Sequence, residues 1–397
     1  MLHMLVGIVG KANCGKSTFF KALTSADILI ANYPFATIKP NHGVGFVRVQ
    51  CVDKELGVQC NPRVGMCVNG TRFVPVEVLD VAGLVPGAHE GKGMGNQFLD
   101  DLRQADAFLH VVDMSGSTNE RGEPVGNGDP AFDIRFLEIE LDLWILGIIK
   151  KGWDKLARQA EHEGGAVSAL AKQLSGLKVS ESLVKLTVNE LKMDPAKPSA
   201  WSEEQLHELA VRVRKKTKPM LIVANKMDIP AAKDHLERCK KLFPDYVFVP
   251  VSAECELALK EAGQKKLISY VPGDAKFEMI GQVSDKQRVA LEFMQKNVLD
   301  AWGGAGVQKA LDVAVFDLLK YIAIFPGGLG KLGDQFGNIL PDCFLLAPGS
   351  TAFDFAGRIH TDLQKNFVAA VDVKSRRKIG RDTLLKHRDV IEIMTSK

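Results

Sequence analysis

The sequence lacks the cysteine patterns that mark disulfide-rich or zinc-binding proteins. Its seven cysteines include no pair in the C-x-x-C spacing that zinc and redox sites use. An odd and unpatterned set argues against a disulfide framework and against a zinc site. We therefore expect these residues to be small buried thiols in a reducing compartment.

Strong charge and long apolar runs are also missing. The formal net charge is only +3, so bulk charge argues neither for nor against nucleic acid. The apolar N-terminus is too short for a signal or membrane segment, and the apolar run from Leu141 to Ile149 is short and carries Asp142. We expect a cytoplasmic protein without membrane or DNA partners.

The sequence does contain enough apolar material for a large core. The chain has 397 residues, of which 46% are hydrophobic and 25% charged. This composition is ordinary for a globular protein, and the length predicts two or three domains rather than one.

The first part of the chain alternates strand and helix patterns. A helix is predicted at Lys16–Ser25, after a Gly-bearing turn. Runs of β-branched and apolar residues predict strands at Leu5–Val9, Phe73–Asp80, Ala107–Asp113, Pro219–Ala224 and Tyr246–Val251. The alternation indicates the α/β fold class, with a mostly parallel sheet and helices on both faces. We assign residues 1–116 and 217–275 to this domain.

The connection between the third and fourth of these strands is far longer than a crossover needs. Helical patterns occupy it at Phe136–Ala160, Leu170–Leu191 and Glu203–Lys215, and a capping-box pattern at Ser202 precedes the last of them. We predict an α-helical insertion over residues 117–216, built as a helical hairpin or a coiled coil.

Two further segments complete the chain. Residues 276–320 are predicted to form a helical connector, with one helix after Ser284 and another at Val307–Ile322. From residue 321 the chain is Gly-rich, which predicts a separate α+β module over residues 321–397. Its predicted elements are strands at Asp342–Ala347, Phe367–Val373 and Val390–Thr395 and a short helix around Arg358–Gln364.

A phosphate-binding loop follows the first strand. Gly10–Ser17 matches GxxxxGK[ST] between a strand and a helix, which is the context that this motif requires. Glycines let backbone amides face phosphate oxygens, and the helix N-terminus attracts negative charge. Lys16 is predicted to reach the β- and γ-phosphates, and Ser17 to ligate Mg²⁺. The other predicted nucleotide contacts in the loop are Asn13, Cys14, Gly15 and Thr18.

Two segments are candidates for sensing Mg²⁺ and the γ-phosphate. Asp80 begins a DxxG sequence at the end of the second strand, so its carboxylate is predicted to bind Mg²⁺ and the Gly83 amide to meet the γ-phosphate. In the loop between the two motifs, the Thr37 hydroxyl is predicted to complete the Mg²⁺ shell. Lys16, Thr37 and Gly83 are therefore the predicted catalytic residues.

The end of the fourth strand predicts which base is bound. Asn225-Lys226-Met227-Asp228 is an NKxD sequence, whose aspartate accepts hydrogen bonds from the N1–H and 2-amino groups of guanine. Adenine lacks the 2-amino group and has an acceptor at N1, so such a site rejects it. Ser252 and Ala253 follow the fifth strand, where a backbone amide is placed to bind guanine O6.

Together these residues resemble the translation-factor-like P-loop GTPases. The segments YPFATIKPNHG (33–43) and DVAGLVPGAHEGKGMGNQFLDDLRQADAFLHVVD (80–113) are similar to the Obg-related group, and most similar to its YchF branch. AGRIHTDLQKNF (356–367) resembles part of a TGS domain, a β-grasp module. The resemblance covers essentially the whole chain.

The resemblance implies a slow GTP hydrolysis that depends on Mg²⁺. Obg-related GTPases have an apolar residue after DxxG, where Ras-like enzymes carry a water-orienting Gln, and this chain has Leu84 there. Residues 31–43 and 80–97 are the implied switch segments. Asn13 occupies the position that supports K⁺ binding in several relatives, and its alternative role is to shape the loop.

Two alternatives stay open at this point. Many YchF proteins lack NKxD and prefer ATP, so an ATPase of the same branch is one alternative. The other is a ribosome- or RNA-binding regulator in which hydrolysis acts only as a timer. A basic cluster near the C-terminus is a candidate for RNA contact or a solvated turn, and it consists of Lys374, Arg376, Arg377, Lys378 and Arg381.

Overall fold

The computed structural model describes residues 4–24, 41–81, 101–163 and 165–396. The described strands are β1 (Leu5–Val9), β2 (His42–Gln50), β3 (Cys67–Val68), β4 (Thr71–Asp80), β5 (Ala107–Asp113), β6 (Met220–Asn225), β7 (Phe248–Pro250), β8 (Ile268–Ser269), β9 (Glu278–Met279), β10 (Ile322–Pro326), β11 (Phe344–Leu346), β12 (Phe367–Asp372), β13 (Arg377–Ile379) and β14 (Val390–Thr395). The described α-helices are α1 (Lys16–Thr24), α2 (Pro130–Lys150), α3 (Trp153–Glu163), α4 (Ala166–Gln173), α5 (Glu181–Glu190), α6 (Glu203–Thr217), α7 (Ala232–Leu242), α8 (Ala253–Gln264), α9 (Asp285–Met294), α10 (Asp300–Trp302), α11 (Val307–Asp312), α12 (Ala352–Ile359) and α13 (Thr361–Lys365).

The chain divides into two compact units. The first, which we call the nucleotide unit, consists of Leu5–Phe19 and Leu79–Ala253. The second, which we call the C-terminal unit, consists of Met1–Met4, Phe20–Val78 and Glu254–Lys397. The domain boundaries given above from the sequence stay predictions.

A parallel sheet forms the centre of the nucleotide unit. β1 pairs with β5, β5 with β6 and β6 with β7, and all three pairs are parallel. Every residue of β1, β5 and β6 is buried, which explains why these strands are continuous apolar runs. The predicted α/β fold is thus confirmed, and the carboxyl ends of these strands meet at one edge of the sheet.

The insertion is helical, as predicted, but its helices are shorter than the sequence patterns indicated. The predicted helix Phe136–Ala160 is wrong, because α2 and α3 are separated at Gly152, which has a φ of 71°. The pattern over Leu170–Leu191 likewise divides into α4 and α5. The capping box at Ser202 is confirmed at the start of α6.

Burial within the protein accounts for the apolar residues of α2. Leu137, Leu141 and Ile145 lie on the buried side of α2. Its Asp142 accepts a hydrogen bond from Arg214 of α6 over 2.6 Å. In the part of the chain that the structure describes, no helix has the length and apolarity needed to cross a membrane.

The C-terminal unit contains a second, smaller sheet. Its strands lie in the order β11-β10-β14-β12-β13, and α12 packs on it through Phe355. The predicted α+β module is confirmed. The predicted helix Val307–Ile322 is wrong at its end, because α11 continues only as a π turn (Val313–Leu318) and Ile322 begins β10.

The C-terminal unit also holds a hairpin that the sequence reading did not predict. β3 and β4 pair antiparallel, and β2 lies beside β4. Glycines at 43 and 45 weakened the strand pattern of β2. Both are needed for close packing, since a Cβ on Gly43 would lie 2.6 Å from the Thr24 methyl group, and one on Gly45 would lie 2.9 Å from Leu311.

Candidate nucleotide-binding site

The phosphate loop lies between β1 and α1, and two of its glycines have no room for a side chain. Gly15 has a φ of 89°, and a Cβ there would lie 2.3 Å from Asn225 Nδ2. A Cβ on Gly10 would lie 2.6 Å from the Val111 carbonyl oxygen. The glycines therefore allow the loop backbone to lie directly against the ends of β5 and β6.

Lys16 and Asp80 meet at the phosphate end of the site. Lys16 is the first residue of α1 and Asp80 the last residue of β4. Lys16 Nζ lies 2.9 Å from Asp80 Oδ1, and the two side chains are 11% and 18% exposed. The structure thus brings together two residues that the sequence places 64 positions apart.

The oxygen donors at this end suit a hard cation. Asp80 is half-buried and supplies a carboxylate. Ser17 is exposed in the first turn of α1 and supplies a hydroxyl group. Mg²⁺ takes oxygen ligands and is usually held by one or two protein groups plus substrate phosphates. The described donors fit that requirement. Thr37, Gly83 and Leu84 lie outside the described residues, as do most residues of both switch segments.

Cys14 and Thr18 complete the described part of the loop. Cys14 is fully buried, and its thiol donates to the Lys11 carbonyl oxygen over 3.1 Å. Burial raises the pKa of Cys14 to about 11, so the side chain is a packed thiol rather than a nucleophile. Its contribution to a nucleotide site is therefore limited to its backbone. Thr18 is half-buried in the first turn of α1.

Asn225 ties the base end of the site together. It is the last residue of β6 and only 3% exposed. Its Nδ2 donates to the Cys14 carbonyl oxygen over 3.0 Å, and its Oδ1 accepts from the Ala253 amide over 3.1 Å. One buried amide thus connects the NKxD turn, the phosphate loop and the segment after β7.

Asp228 is oriented by Ser252. The Ser252 hydroxyl donates to Asp228 Oδ1 over 2.6 Å, and Ser252 is 1% exposed. The two residues are 24 positions apart in sequence, and the structure brings these two predicted base-binding residues into contact. This charge-assisted hydrogen bond restrains the rotation of the Asp228 carboxylate.

Lys226 is held by a residue that the sequence reading had not assigned to the site. Lys226 has a φ of 65°, and its Nζ lies 2.9 Å from Asp113 Oδ2 and 3.0 Å from the Ser117 hydroxyl. Burial alone would raise the pKa of Asp113, but hydrogen bonds from Ser115, Lys226 and Thr118 hold that pKa below its ordinary value. The charged carboxylate anchors the lysine stem.

The loop after β5 lies against the phosphate loop. Asn13, with a φ of 58°, donates from Nδ2 to the Gly122 carbonyl oxygen over 2.9 Å. A Cβ on Gly122 would lie 2.5 Å from the Ala12 carbonyl oxygen. This loop therefore supports the site from the side.

A buried ion pair attaches the helical insertion to the phosphate loop. Lys11 Nζ lies 2.8 Å from Asp133 Oδ2, in the first turn of α2, and each side chain is 6% exposed. Lys11 also donates to the Thr118 carbonyl oxygen over 3.1 Å. Burial raises the pKa of Asp133 to about 6 despite the lysine. No local signal could have revealed the pair, because its members are 122 positions apart.

Three protein-family models match the chain. A 50S ribosome-binding GTPase model matches residues 5–130, and the G4 motif-containing domain of Obg-like GTPase YGR210-like proteins matches residues 223–327. A TGS-domain model matches residues 333–395.

Similar proteins match over nearly the full length of the chain. An uncharacterized GTP-binding protein of Methanocaldococcus jannaschii is 49% identical over 395 residues, which cover 99% of each chain. The ribosome-binding ATPase YchF of Mycoplasma genitalium is 31% identical over 370 residues, covering 91% of this chain and 86% of its own. The crystal structure of a GTP-binding protein from Pyrococcus horikoshii superposes with a TM-score of 0.78 at 37% identity, covering 99% of this chain and all of the other.

Proposed function

Because the chain belongs to the YchF branch of the Obg-related P-loop GTPases, we propose that it binds GTP with Mg²⁺ and hydrolyses it to GDP and phosphate. The observation that carries the choice of GTP is the Ser252–Asp228 hydrogen bond at the base end. A carboxylate held in this way accepts from N1–H and the 2-amino group of guanine. Facing adenine, it would lie against the N1 lone pair and lose both bonds.

The other base contacts follow from the same turn. The Lys226 stem, fixed at its end by Asp113, lies over the base, and Asn225 keeps the turn against the phosphate loop. The backbone amide of Ala253 donates a hydrogen bond to Asn225 Oδ1. We therefore assign the guanine O6 contact to the segment Ser252–Ala253 and not to that amide alone. With these assignments, base recognition depends on groups that the protein holds in place before the base binds.

The phosphate end carries the reaction. Lys16 binds the β- and γ-phosphate oxygens, and the loop amides of Asn13, Cys14, Gly15, Ser17 and Thr18 surround the phosphates. We assign the Mg²⁺ ligands to Ser17, Thr37 and Asp80, and a γ-phosphate contact to the Gly83 amide. When bound, Mg²⁺ supplies charge neutralisation across the β- and γ-phosphates. The protein residues contribute positioning and electrostatic stabilisation of the reacting phosphate.

Hydrolysis by the protein alone is expected to be slow. Leu84 follows DxxG and has no group to orient water. We propose K⁺ as a stimulating cation near Asn13, and the competing role of Asn13 is to hold Gly122 through its amide nitrogen. Comparing hydrolysis in Na⁺ and in K⁺, for the wild type and for Asn13→Ala, separates the two roles.

Phosphate release from GTP and from ATP tests the proposed reaction. Purified full-length protein with Mg²⁺ should release phosphate from GTP, and omission of Mg²⁺ should abolish the release. Faster release from ATP than from GTP would favour the alternative that the name of the Mycoplasma genitalium relative raises, an ATPase of the same branch.

A ribosome partner is the second part of the proposal. The name of the matched GTPase model and that of the Mycoplasma genitalium relative both include ribosome binding. Arg376 in the turn before β13 and Arg377 and Lys378 in β13 are exposed. Lys374 pairs with Glu55 over 2.7 Å. Exposed guanidinium and ammonium groups of this kind suit phosphate contacts with RNA.

Co-sedimentation with ribosomes tests this proposed partner. We propose the cytoplasm as the location of the protein. The protein should pellet with ribosomes more strongly in a non-hydrolysable GTP analogue than in GDP. Replacing Arg376, Arg377 and Lys378 together by alanine should weaken pelleting, while replacing Lys240 and Lys241 of α7 should not. Equal pelleting in both nucleotides would contradict a nucleotide-dependent switch.

A further inference from the structure

Three thiols of the C-terminal unit converge between β2 and β4. Cys51 directly follows β2, Cys60 lies in the loop after it, and Cys67 begins β3. Their Sγ atoms all lie within 4.8 Å of one another, and all three are free thiols. All three are free and two are buried, which agrees with the expected packed thiols, but the fold of the loop brings these unequally spaced residues to one place. The expected absence of a zinc site stays a prediction.

The arrangement fits a tetrahedral thiolate centre. Zinc–thiolate bonds of about 2.3 Å place neighbouring sulfur atoms of a tetrahedral site roughly 3.8 Å apart. The observed limit of 4.8 Å requires only a small contraction to reach that spacing. Cys51 and Cys60 are 3% and 5% exposed, so water does not compete freely for the sulfur atoms. Soft thiolates in a tetrahedral set select zinc among common cellular cations.

A buried arginine supplies independent support. Arg72 is 1% exposed, and its Nη1 lies 3.1 Å from Cys60 Sγ. Its other partners are the carbonyl oxygens of Leu340 and Pro341, at 2.9 Å and 3.0 Å. Within the described residues, Arg72 forms no ion pair with a carboxylate, and its Nε has no partner.

A guanidinium buried without a counter-charge is costly, because desolvation is not offset. Three thiolates around one divalent ion carry a net charge of about −1, and a carboxylate as fourth ligand makes it about −2. Such a centre would balance Arg72, which would in turn act as a hydrogen-bond donor to a ligand sulfur.

We propose that Cys51, Cys60 and Cys67 bind one Zn²⁺ as thiolates, with the Asp53 carboxylate as the fourth ligand. Asp53 is 3% exposed, and its Oδ2 lies 3.9 Å from Cys67 Sγ. Its oxygen is not among the donors that all lie within 4.8 Å of one another, so the carboxylate moves inward on binding. Binding displaces the three thiol protons to solvent. Four protein ligands leave no open position, so the site is structural rather than catalytic.

The zinc site would hold the loop against the C-terminal sheet of the same unit. Backbone hydrogen bonds join Asn61 to the Ile339 carbonyl oxygen over 2.9 Å and Arg63 to the Pro341 carbonyl oxygen over 3.0 Å. Arg72 bridges the ligand Cys60 to the same segment. Loss of zinc is therefore expected to lower the melting temperature while leaving GTP affinity unchanged.

Metal analysis of the full-length, tag-free protein tests the proposal. Elemental analysis should find one zinc ion per chain, and Cys60→Ser should reduce this to near zero. Cys239→Ser and Cys255→Ser are matched controls, since each removes a buried cysteine outside the cluster and should leave the zinc in place. Zinc retained in full by Cys60→Ser would contradict the assignment.

Reconstitution of the wild-type protein keeps the test independent of variant folding. Added Co²⁺ should give the charge-transfer and d–d absorption of a tetrahedral thiolate site, and Zn²⁺ should displace it at one equivalent. A protein that binds neither ion after reduction, or whose mass shows a disulfide between two of the thiols under reducing cytosolic conditions, would overturn the proposal.

The fourth ligand can be tested separately. Cys343 is a competing donor, because it lies two positions after Pro341, whose carbonyl oxygen accepts a hydrogen bond from Arg72. Asp53→Asn should weaken Zn²⁺ binding at least tenfold and alter the Co²⁺ spectrum, whereas Cys343→Ser should leave both unchanged. The reverse pattern would transfer the fourth position from Asp53 to Cys343.

Discussion

The phosphate end and the base end of the nucleotide site are built in different ways. At the phosphate end, two opposite charges, Lys16 and Asp80, hold each other over 2.9 Å while remaining partly exposed. At the base end, Asn225 and Ser252 are almost fully buried and hold their neighbours through short hydrogen bonds. Base selection therefore depends on fixed geometry, whereas phosphate binding depends on charges within reach of a ligand.

The largest effect is expected at the phosphate end. Lys16→Ala removes the side-chain charge that we assign to the β- and γ-phosphates, so kcat/KM for GTP should fall by about 10²–10³-fold. Phosphate-release kinetics measure this loss. Lys21→Ala, in the last turn of the same helix, is the control and should change kcat/KM little. Near wild-type kinetics for Lys16→Ala would contradict the assignment of Lys16 to phosphate binding.

The next effect should change the preferred base rather than abolish binding. Asp228→Asn exchanges a two-acceptor carboxylate for an amide, so GTP affinity should fall about 10- to 100-fold. Xanthosine triphosphate has a carbonyl in place of the 2-amino group and should gain affinity, because the amide can donate to it.

Competition binding with both nucleotides measures the change in base preference. Asp234→Asn, an exposed change on α7, is the matched control. If Asp228→Asn weakened both nucleotides equally, the carboxylate would be a structural group rather than the selector of the base.

A smaller effect is expected where the loop after β5 supports the phosphate loop. Gly122→Ala adds a methyl group 2.5 Å from the Ala12 carbonyl oxygen, at a φ of 81°. The strain should cost about 1–3 kcal/mol and weaken GTP and GDP binding together. Gly126→Ala, in the same loop but with open space around it, should be neutral. Isothermal titration with both nucleotides distinguishes the two variants.

The last effect concerns the pH dependence of stability rather than nucleotide binding, and it arises at the Lys11–Asp133 pair. Because the folded pKa of Asp133, about 6, lies above its ordinary value of 3.8, the folded state binds the extra proton between these pH values. The free energy of unfolding therefore falls by on the order of 2–3 kcal/mol as the pH rises from about 4 to 6. Asp133→Asn should flatten that part of the profile of melting temperature against pH.

The control for this pH dependence is an exposed aspartate of the insertion. Asp154→Asn, in the first turn of α3, should keep the wild-type profile. An Asp133→Asn profile that also matched the wild type would show that the ion pair does not titrate in this range.

Much of the site could be predicted from sequence because its residues are grouped in short motifs at strand ends. Parallel strands bring those ends to one edge of the sheet. The sequence alone therefore predicts that Asn225, Asp228 and Ser252 belong to the nucleotide-binding site. Lys11–Asp133 could not be predicted, because a contact across 122 positions leaves no periodic signal. The fixing of Lys226 by Asp113 was missed because an aspartate that ends a strand is common.

The thiol cluster shows the same limit more strongly. The spacing of Cys51, Cys60 and Cys67 matches no short metal-binding pattern, so the sequence argued against a zinc site. Their convergence depends on the path of the loop between β2 and β4 and on the burial of Arg72. Helix ends were also mispredicted where a glycine or a π turn interrupts an otherwise continuous apolar pattern, as at Gly152 and after Asp312.

The most direct test of the central claim is a side-by-side measurement of GTP, GDP and ATP affinity for the full-length protein with Mg²⁺. A site whose Asp228 carboxylate is fixed for the guanine edge should bind GTP and GDP at least about 100-fold more tightly than ATP. ATP binding as tight as GTP binding, or tighter, would contradict the account.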